Sequence, residues 1–122
     1  MQHIVIADDS RTVRTQLRQA LTGAGFSVSE AADGEQALER ICTERPLLSI
    51  VDINMPGLNG YGVCHKLREM GPPWSELPII ILTSMRSHAL EVLGDQMGAY
   101  LQKPADDQQV LDAVRSFVPL NV

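Results

Sequence analysis

Two short stretches, LLSIV at residues 47–51 and PIIIL at residues 78–82, decide the fold class of this chain. Both are apolar throughout instead of alternating between apolar and polar residues, and this pattern indicates strands that are buried on both faces. Strands of this kind lie in a parallel sheet with helices on either side. We therefore predict an α/β fold.

Further strand and helix patterns alternate around these two stretches. Strands are also predicted at residues 3–7, 26–31 and 99–102. Helical spacing predicts a first helix between Ser10, which can cap it, and Gly25, which can end it. The other predicted helices cover residues 34–43, a segment from 60 that carries Val63, Leu67 and Met70, 88–96 and 106–117. The chain thus reads as a fivefold βα repeat, a single doubly wound domain over residues 1–122.

The composition is that of one acidic domain. The chain has 122 residues, and 10 Lys and Arg against 15 Asp and Glu give a formal net charge of −5, which argues against nucleic acid as a partner. No apolar run approaches the roughly 18 residues of a membrane span, and the N-terminus lacks the features of a signal peptide. We therefore expect a cytoplasmic protein without a membrane partner, whose two cysteines, Cys42 and Cys64, are reduced and structural.

Reactive side chains follow the strands at one edge of the predicted sheet. Sheets of this class bind ligands beside the carboxyl ends of their strands. A single acid after a strand is common because turns favour Asp, but a full set of acids, hydroxyls and a lysine is not explained in that way. The residues that follow the strands are Asp8, Asp9, Asp52, Thr83, Ser84 and Lys103.

These residue types suit phosphoryl transfer with a hard cation. Clustered carboxylates repel one another unless a cation lies between them, and Mg²⁺ prefers carboxylate oxygens and water. A lysine and a hydroxyl can hold the oxygens of a transferring phosphoryl group, and a carboxylate can accept that group as an acyl phosphate. Asp52 is the best placed acceptor because it ends the central strand. The first strand-to-helix turn has no glycine-rich phosphate cradle, so the donor is neither a dinucleotide nor a nucleoside triphosphate held in the usual way.

These motifs resemble the CheY-like receiver domains of two-component response regulators. The resemblance rests on Asp8-Asp9, on Asp52 in VDINMPGLNG, on Thr83 in IIILTS, and on Lys103-Pro104 behind Tyr100. It covers essentially the whole chain, and Asp9 and Asp52 are 43 residues apart, as is typical of the family. The resemblance implies a flavodoxin-like sheet with strand order 2-1-3-4-5, for which CheY is a standard example.

The family also implies roles for the site residues. Asp52 is expected to accept a phosphoryl group from the phosphohistidine of a sensor histidine kinase or a histidine phosphotransfer protein. Asp9, Asp52 and the backbone carbonyl of Asn54 are the expected Mg²⁺ ligands, with Asp8 acting mainly through water.

The remaining implied roles concern the response to phosphorylation. Lys103 and Thr83 are expected to hold phosphoryl oxygens, and Tyr100 to act as an aromatic switch that alters binding of a downstream effector protein. Such a domain is not an enzyme in the ordinary sense, since it accepts the group on itself and has at most autophosphatase activity. We expect a monomer or weak dimer.

Some residues depart from the family pattern or carry smaller expectations. The segment between Thr83 and Lys103 is slightly short before Tyr100, and the connection MGPPWSELP at residues 70–78 is long. Trp74 in this connection is expected to be a loop anchor or a surface contact and not part of the site, and the Lys103-Pro104 bond is expected to be cis. The three histidines, at positions 3, 65 and 88, are expected to be solvated or packed, not ligands or bases.

Two alternatives remain open at this point. A Mg²⁺-dependent phosphatase of the haloacid-dehalogenase type also uses an Asp nucleophile, but it would have a second acid two residues later, where this chain has Asn54. The chain could also be a receiver domain cut from a larger response regulator or hybrid kinase, although the start at Met1 and the end in VPLNV mildly favour a complete protein.

Overall fold

The computed structural model describes residues 2–84 and 98–118, and the predicted helix at 88–96 lies outside them. The strands and helices alternate as predicted, with bounds that differ from the expected ones by a residue or two. The strands are β1 (His3–Ala7), β2 (Ser27–Ala31), β3 (Leu48–Val51), β4 (Ile79–Thr83) and β5 (Gly98–Gln102). The helices are α1 (Arg11–Gly23), α2 (Gly34–Glu44), α3 (Gly60–Glu69) and the C-terminal helix (Asp107–Arg115), with a 3-10 turn at Trp74–Glu76.

The five strands form one parallel sheet in the order β2-β1-β3-β4-β5. This is the strand order that the family resemblance implied, and it is confirmed. Every residue of β3 and β4 is buried, including the polar Ser49 and Thr83, as the largely apolar character of both stretches predicted. The strand order reverses at β1, because β2 lies on one side of β1 and β3 lies on the other. The carboxyl ends of the parallel strands β1 and β3 therefore lie side by side.

The core has two layers, one on each face of the sheet. Because successive side chains of a strand point to opposite faces, β1 and β3 contribute to both layers. On one face Val5 and Val51 pack with Ile41 of α2 and Leu67 of α3. On the other face the neighbouring strand residues pack with α1 and the C-terminal helix. Both faces of the sheet are therefore covered by helices. The edge at the carboxyl ends of the strands is left for the site.

Helix ends follow the local sequence. The Ser10 hydroxyl accepts a hydrogen bond from the Val13 amide at 3.3 Å and so caps α1. Asp33 caps α2 in the same way, and the residue after the last turn of α2 is Arg45, which has a left-handed φ of 49° and precedes Pro46. These helix starts and stops agree with the signals in the sequence.

Met70 is a correction to the sequence analysis, which placed it on the third helix with Val63 and Leu67. The helix ends at Glu69, and Met70 is the residue that follows, with Gly71 turning the chain at φ 73°. Met70 is 44 % exposed, while Val63 and Leu67 are fully buried. The helical spacing was right, but the helix ended one residue before the last apolar position.

The minor expectations on His3 and His65 agree with their surroundings. The His3 ring lies between Ser27, Ser29 and Glu44 in a half-buried network that ties β1 and β2 to the end of α2. His65 is exposed on α3 and lies 2.8 Å from the Glu69 carboxylate. The third histidine, at position 88, lies outside the described residues. In the part of the chain that the structure describes, no helix has the length and apolar character needed to cross a membrane.

The two cysteines are free thiols in different surroundings. Cys64 is 2 % exposed on α3, and this burial raises the pKa of its thiol to about 11, against a small opposing effect of the nearby Arg68 charge. Cys42 is half-buried on α2, with its sulfur 4.0 Å from that of Met70.

We therefore expect alkylating reagents to distinguish the two thiols. At pH 8 a thiol with a pKa near 11 is about one part in a thousand thiolate, and the thiolate is the nucleophile. In the native protein, iodoacetamide should modify Cys64 at least roughly tenfold more slowly than Cys42. Peptide mapping by mass spectrometry measures both rates, and the difference should vanish in urea. Equal native rates would show that Cys64 is neither buried nor shifted in pKa.

Candidate functional site

The three predicted acids meet at the carboxyl ends of β1 and β3. Backbone hydrogen bonds fix their positions, since the Asp8 amide donates to the Ala31 carbonyl at 3.1 Å and the Asp52 amide to the Ala7 carbonyl at 2.9 Å. Asp8 and Asp52 are 1 % and 5 % exposed, whereas Asp9 is open to solvent. One carboxylate oxygen of each acid lies within 4.8 Å of the other two. The acids thus form a cluster with two buried members and one exposed member.

Lys103 brings a positive charge to this cluster from the turn after β5. Its ammonium lies 2.6 Å from Asp8 Oδ2 and 3.1 Å from Asp52 Oδ2. Its backbone amide donates to the Thr83 carbonyl at 2.8 Å, which extends the pairing of β4 and β5 to the site. The Lys103-Pro104 peptide bond is cis, as expected.

The pKa values of Asp8 and Lys103 are both raised, for different reasons. Burial raises the pKa of the Asp8 carboxyl, and the hydrogen bonds from Lys103 and from the Ser10 amide only partly oppose it. Burial acts to lower the pKa of Lys103, but hydrogen bonds and charge from Asp8 and Asp52 outweigh it, so that this pKa is raised. The lysine is therefore firmly protonated, and its ammonium pairs with two of the three carboxylates in the cluster.

This donor set fits a hard divalent cation. All three side chains offer oxygen, and the exposed Asp9 leaves room for the water ligands that Mg²⁺ retains. Asn54 lies in the turn directly after Asp52, and its backbone N–H donates a hydrogen bond to Asp52 Oδ1 at 3.3 Å. The residues named from the sequence as metal ligands are thus all brought to one place.

Two predicted switch residues lie on the neighbouring strands. Thr83 ends β4 and is fully buried, and Ser84 after it is exposed. Tyr100 on β5 pairs in register with Ile81, two residues before Thr83 on the adjacent strand, and its half-buried ring packs against the core layer of α2 and α3. Thr83 and Tyr100 therefore lie on neighbouring strands close to the acids. A cavity of about 330 Å³ beside the site is lined by Lys103 and Ser84 with α1 residues such as Gln16.

A comparison with protein families settles the family of the chain. Residues 4–115 match the family described as the response regulator receiver domain. The chain belongs to this family. Response regulator MprA of Mycolicibacterium vanbaalenii is 39 % identical over 117 residues, which are 94 % of this chain and 49 % of the relative. The receiver therefore spans about half the length of the curated relatives it matches.

Solved structures agree with the assignment. The chemotaxis protein CheY4 of Vibrio cholerae superposes with a TM-score of 0.86 at 29 % identity, covering 97 % of this receiver and 99 % of that chain. The signal receiver domain of a signal transduction histidine kinase from Syntrophus aciditrophicus has a TM-score of 0.83 at 28 % identity, covering 96 % and 89 %. Both confirm the predicted receiver fold, and the second shows that a domain of this shape can belong to a kinase.

The receiver has one feature near the site that the sequence analysis missed. The Leu58 amide, in the loop that joins Asp52 to α3, donates to both carboxylate oxygens of Glu35 at 3.1 and 3.3 Å. A Cβ atom on Gly34 would lie 1.9 Å from the Leu58 carbonyl oxygen, so the loop lies directly on the first turn of α2. We define Gly34, Glu35 and Leu58 as the loop clamp. A glycine at the first position of a helix was the signal that could have indicated this close approach.

Proposed function

We propose that Asp52 of this receiver accepts a phosphoryl group from a phosphohistidine of a sensor histidine kinase or histidine phosphotransfer protein. The observation that supports this role is that an Asp52 carboxylate oxygen lies within 4.8 Å of oxygens of Asp8 and Asp9, and that the Lys103 ammonium lies 3.1 Å from Asp52 while also contacting Asp8. A lone buried carboxylate would not suggest this chemistry. A carboxylate with a cation site and a lysine beside it has what the transfer needs.

The chain's own residues account for most of the transfer. A carboxylate oxygen of Asp52 attacks phosphorus, an O–P bond forms as the P–N bond to the donor imidazole breaks, and the imidazole leaves with the electron pair. Lys103 offsets the charge on the phosphoryl oxygens, and the Asn54 amide holds Asp52 through Oδ1. Asp9, Asp52 and the Asn54 carbonyl would hold Mg²⁺, with Asp8 acting mainly through water, and the cation would supply further positive charge to those oxygens.

Phosphorylation by a small donor tests the acceptor directly. Incubation with acetyl phosphate and Mg²⁺ is expected to add one acid-labile phosphoryl group, seen by intact-protein mass spectrometry. Asp52→Asn should remove it, because the amide is a poor nucleophile, and Asp112→Asn on the exposed face of the C-terminal helix should not. Equal labelling of Asp52→Asn and the wild type would reject the assignment, and repeated turnover of a phosphomonoester would favour the phosphatase instead.

We further propose that Thr83 and Tyr100 carry the signal away from Asp52. A phosphoryl group adds charge and acceptor oxygens near the end of β4, and the Thr83 hydroxyl can move toward them. The Tyr100 ring on the adjacent strand would then follow into the space that is vacated. A downstream effector protein would recognise the altered surface, and the chain would act as a phosphoacceptor with at most autophosphatase activity, as a cytoplasmic monomer or weak dimer.

Amide NMR of phosphorylated and unphosphorylated protein measures this step. Thr83→Ala should still accept the phosphoryl group but lose most of the chemical-shift changes in residues 85–118, because the hydroxyl that moves is gone. Tyr100→Ala should reduce the same changes if the ring transmits them. Undiminished changes in Thr83→Ala would show that the signal takes another route, and undiminished changes in Tyr100→Ala alone would remove the ring from it.

A further inference from the structure

Arg14 of α1 contacts the acid cluster through the backbone. Its guanidinium Nη1 donates a hydrogen bond to the carbonyl oxygen of Asp8 at 2.7 Å. This carbonyl belongs to the peptide group that joins Asp8 to Asp9, so Arg14 is bonded to the link between the two neighbouring acids. The Arg14 side chain is only 16 % exposed, and a hydrogen bond from a charged donor is roughly twice as strong as one between neutral groups. Arg14 therefore restrains the orientation of this peptide group.

Asp8 and Asp9 differ in what holds them in place. The Asp8 amide donates to the Ala31 carbonyl at 3.1 Å, and the Asp8 carboxylate accepts from the Ser10 amide at 2.9 Å. Within the part of the chain that the structure describes, no hydrogen bond or ion pair reaches the exposed carboxylate of Asp9. The direction of a side chain without partners is governed by its own backbone, so the peptide group that Arg14 holds restricts where the Asp9 carboxylate can lie.

Glu30 on β2 fixes the Arg14 guanidinium in turn. Its Oε1 accepts from Arg14 Nε at 3.2 Å, and its Oε2 accepts from Arg18 Nε at 2.5 Å. The hydrogen bond from Arg18, more than the partial burial that opposes it, holds the pKa of the Glu30 carboxyl below its usual range, so this group is ionised at neutral pH. The Glu30 carboxylate partly offsets the positive charge of Arg14, which would otherwise oppose a cation bound to the neighbouring acids. Arg14 can thus hold the backbone beside a cation site with a reduced electrostatic penalty.

We propose that Arg14 is a positioning residue for the metal-binding acids. By holding the Asp8 carbonyl, it keeps the Asp9 carboxylate within reach of Asp8 and Asp52, whose nearest oxygens lie within 4.8 Å, so that one divalent cation can be shared. Residues that fix metal ligands through hydrogen bonds affect metal affinity without touching the metal. The inference deepens the proposed function and rests on it, because it takes Asp9 and Asp52 as Mg²⁺ ligands.

The sign of the effect separates this role from a purely electrostatic one. Arg14→Met removes a positive charge near the acids, and by charge alone this change would strengthen cation binding. Loss of positioning acts in the opposite direction, and a residue that supports a metal ligand is typically worth roughly tenfold or more in metal affinity. We therefore expect Arg14→Met to weaken Mg²⁺ binding roughly tenfold, and Arg14→Lys, which retains a charged donor, to recover part of the loss.

Arg18→Met is the matched control. Arg18 lies one turn further along α1 and pairs with the same Glu30 carboxylate, but of the two arginines only Arg14 donates to the Asp8 carbonyl. Both substitutions remove one arginine and one ion pair with Glu30, so an effect of fastening α1 to β2 would appear in both variants. Arg18→Met should leave the Mg²⁺ affinity unchanged or slightly higher.

Mg²⁺ titration without a phosphoryl donor measures these affinities, through the backbone amide signals of residues 8–10 and 52–54 in ¹⁵N-labelled protein. Urea unfolding in EDTA verifies that each variant is folded, and Arg14→Gln replaces Arg14→Met if the latter is not. The positioning role is overturned if Arg14→Met binds Mg²⁺ as the wild type does, or if Arg18→Met loses as much affinity. If the wild type itself binds no Mg²⁺, the cation site of the proposed function is rejected, and this inference is rejected with it.

Discussion

In metal-free buffer, Lys103→Met is expected to lower the free energy of unfolding by about 3 kcal/mol. The lysine side chain is 19 % exposed and its partners are far more buried, at 2 % for Asp8 and 6 % for Asp52. Methionine has a similar length but no charge, so the variant leaves two buried carboxylates facing each other without their counter-charge. Removing one partner of a buried ion pair costs more than the pair contributes, because the remaining charge stays desolvated.

Mg²⁺ should restore most of the stability lost in Lys103→Met, and it should also stabilise the wild type. A cation that binds only the folded state at a hundred times its Kd adds about 2.7 kcal/mol. Urea unfolding in EDTA and in Mg²⁺, followed by circular dichroism, measures both effects, and Asp9→Ala should remove most of the gain in the wild type. Lys66→Met is the matched control, because Lys66 is exposed on α3 and is the other lysine of the chain. Equal losses for the two lysine variants would contradict the expected role of the buried pair.

Gly34→Ala is expected to destabilise the protein by on the order of 3 kcal/mol, through the loop clamp. The new methyl group would lie 1.9 Å from the carbonyl oxygen and 2.7 Å from the carbonyl carbon of Leu58, and both are backbone atoms. A flexible side chain could turn away, but here either the start of α2 or the loop after Asp52 must move. Phosphorylation by acetyl phosphate should therefore slow as well, because this loop carries the Asn54 amide that holds Asp52.

Gly23→Ala is the control for this prediction and should have the opposite sign. Gly23 is the last residue of α1, and a methyl group there would meet nothing within 4 Å. Since alanine is favoured over glycine within a helix, we expect a gain of roughly 0.5 kcal/mol. Thermal and urea unfolding of both variants give the comparison. A Gly34→Ala protein that unfolds and is phosphorylated as the wild type is would show that the loop can move away at little cost.

Much of this architecture could be predicted because its signals are local. The largely apolar stretches of β3 and β4 indicated strands buried on both faces, and the structure buries every residue of both. Parallel strands bring their carboxyl ends to one edge, so the residues after them could be expected to meet. Asp8, Asp9, Asp52 and Lys103 do meet there. Their functional roles remain predictions that the experiments above test.

The features that could not be predicted depend on tertiary contacts. The loop clamp requires the loop after Asp52 to lie on the start of α2, and no periodicity encodes that approach. Met70 was misplaced because the spacing of apolar residues continues one position beyond the last helical turn. The indole N–H of Trp74 is buried without a hydrogen-bond acceptor. This could not be predicted, because the sequence offers many acceptors and only the folded structure shows which of them lie near the ring.

The position of β5 in the sheet also has a consequence for motion. This strand is at an edge, bonded to β4 alone among the described strands, and all its residues are half-buried, whereas β3 and β4 are buried throughout. Segments with little buried surface open locally at a lower free energy than the whole fold, and their amide hydrogens exchange with solvent first. When β5 opens, Lys103 leaves with it while the acids stay on β1 and β3. A ligand that bridges the acids and Lys103 would therefore slow amide exchange in β5 more than anywhere else in the sheet.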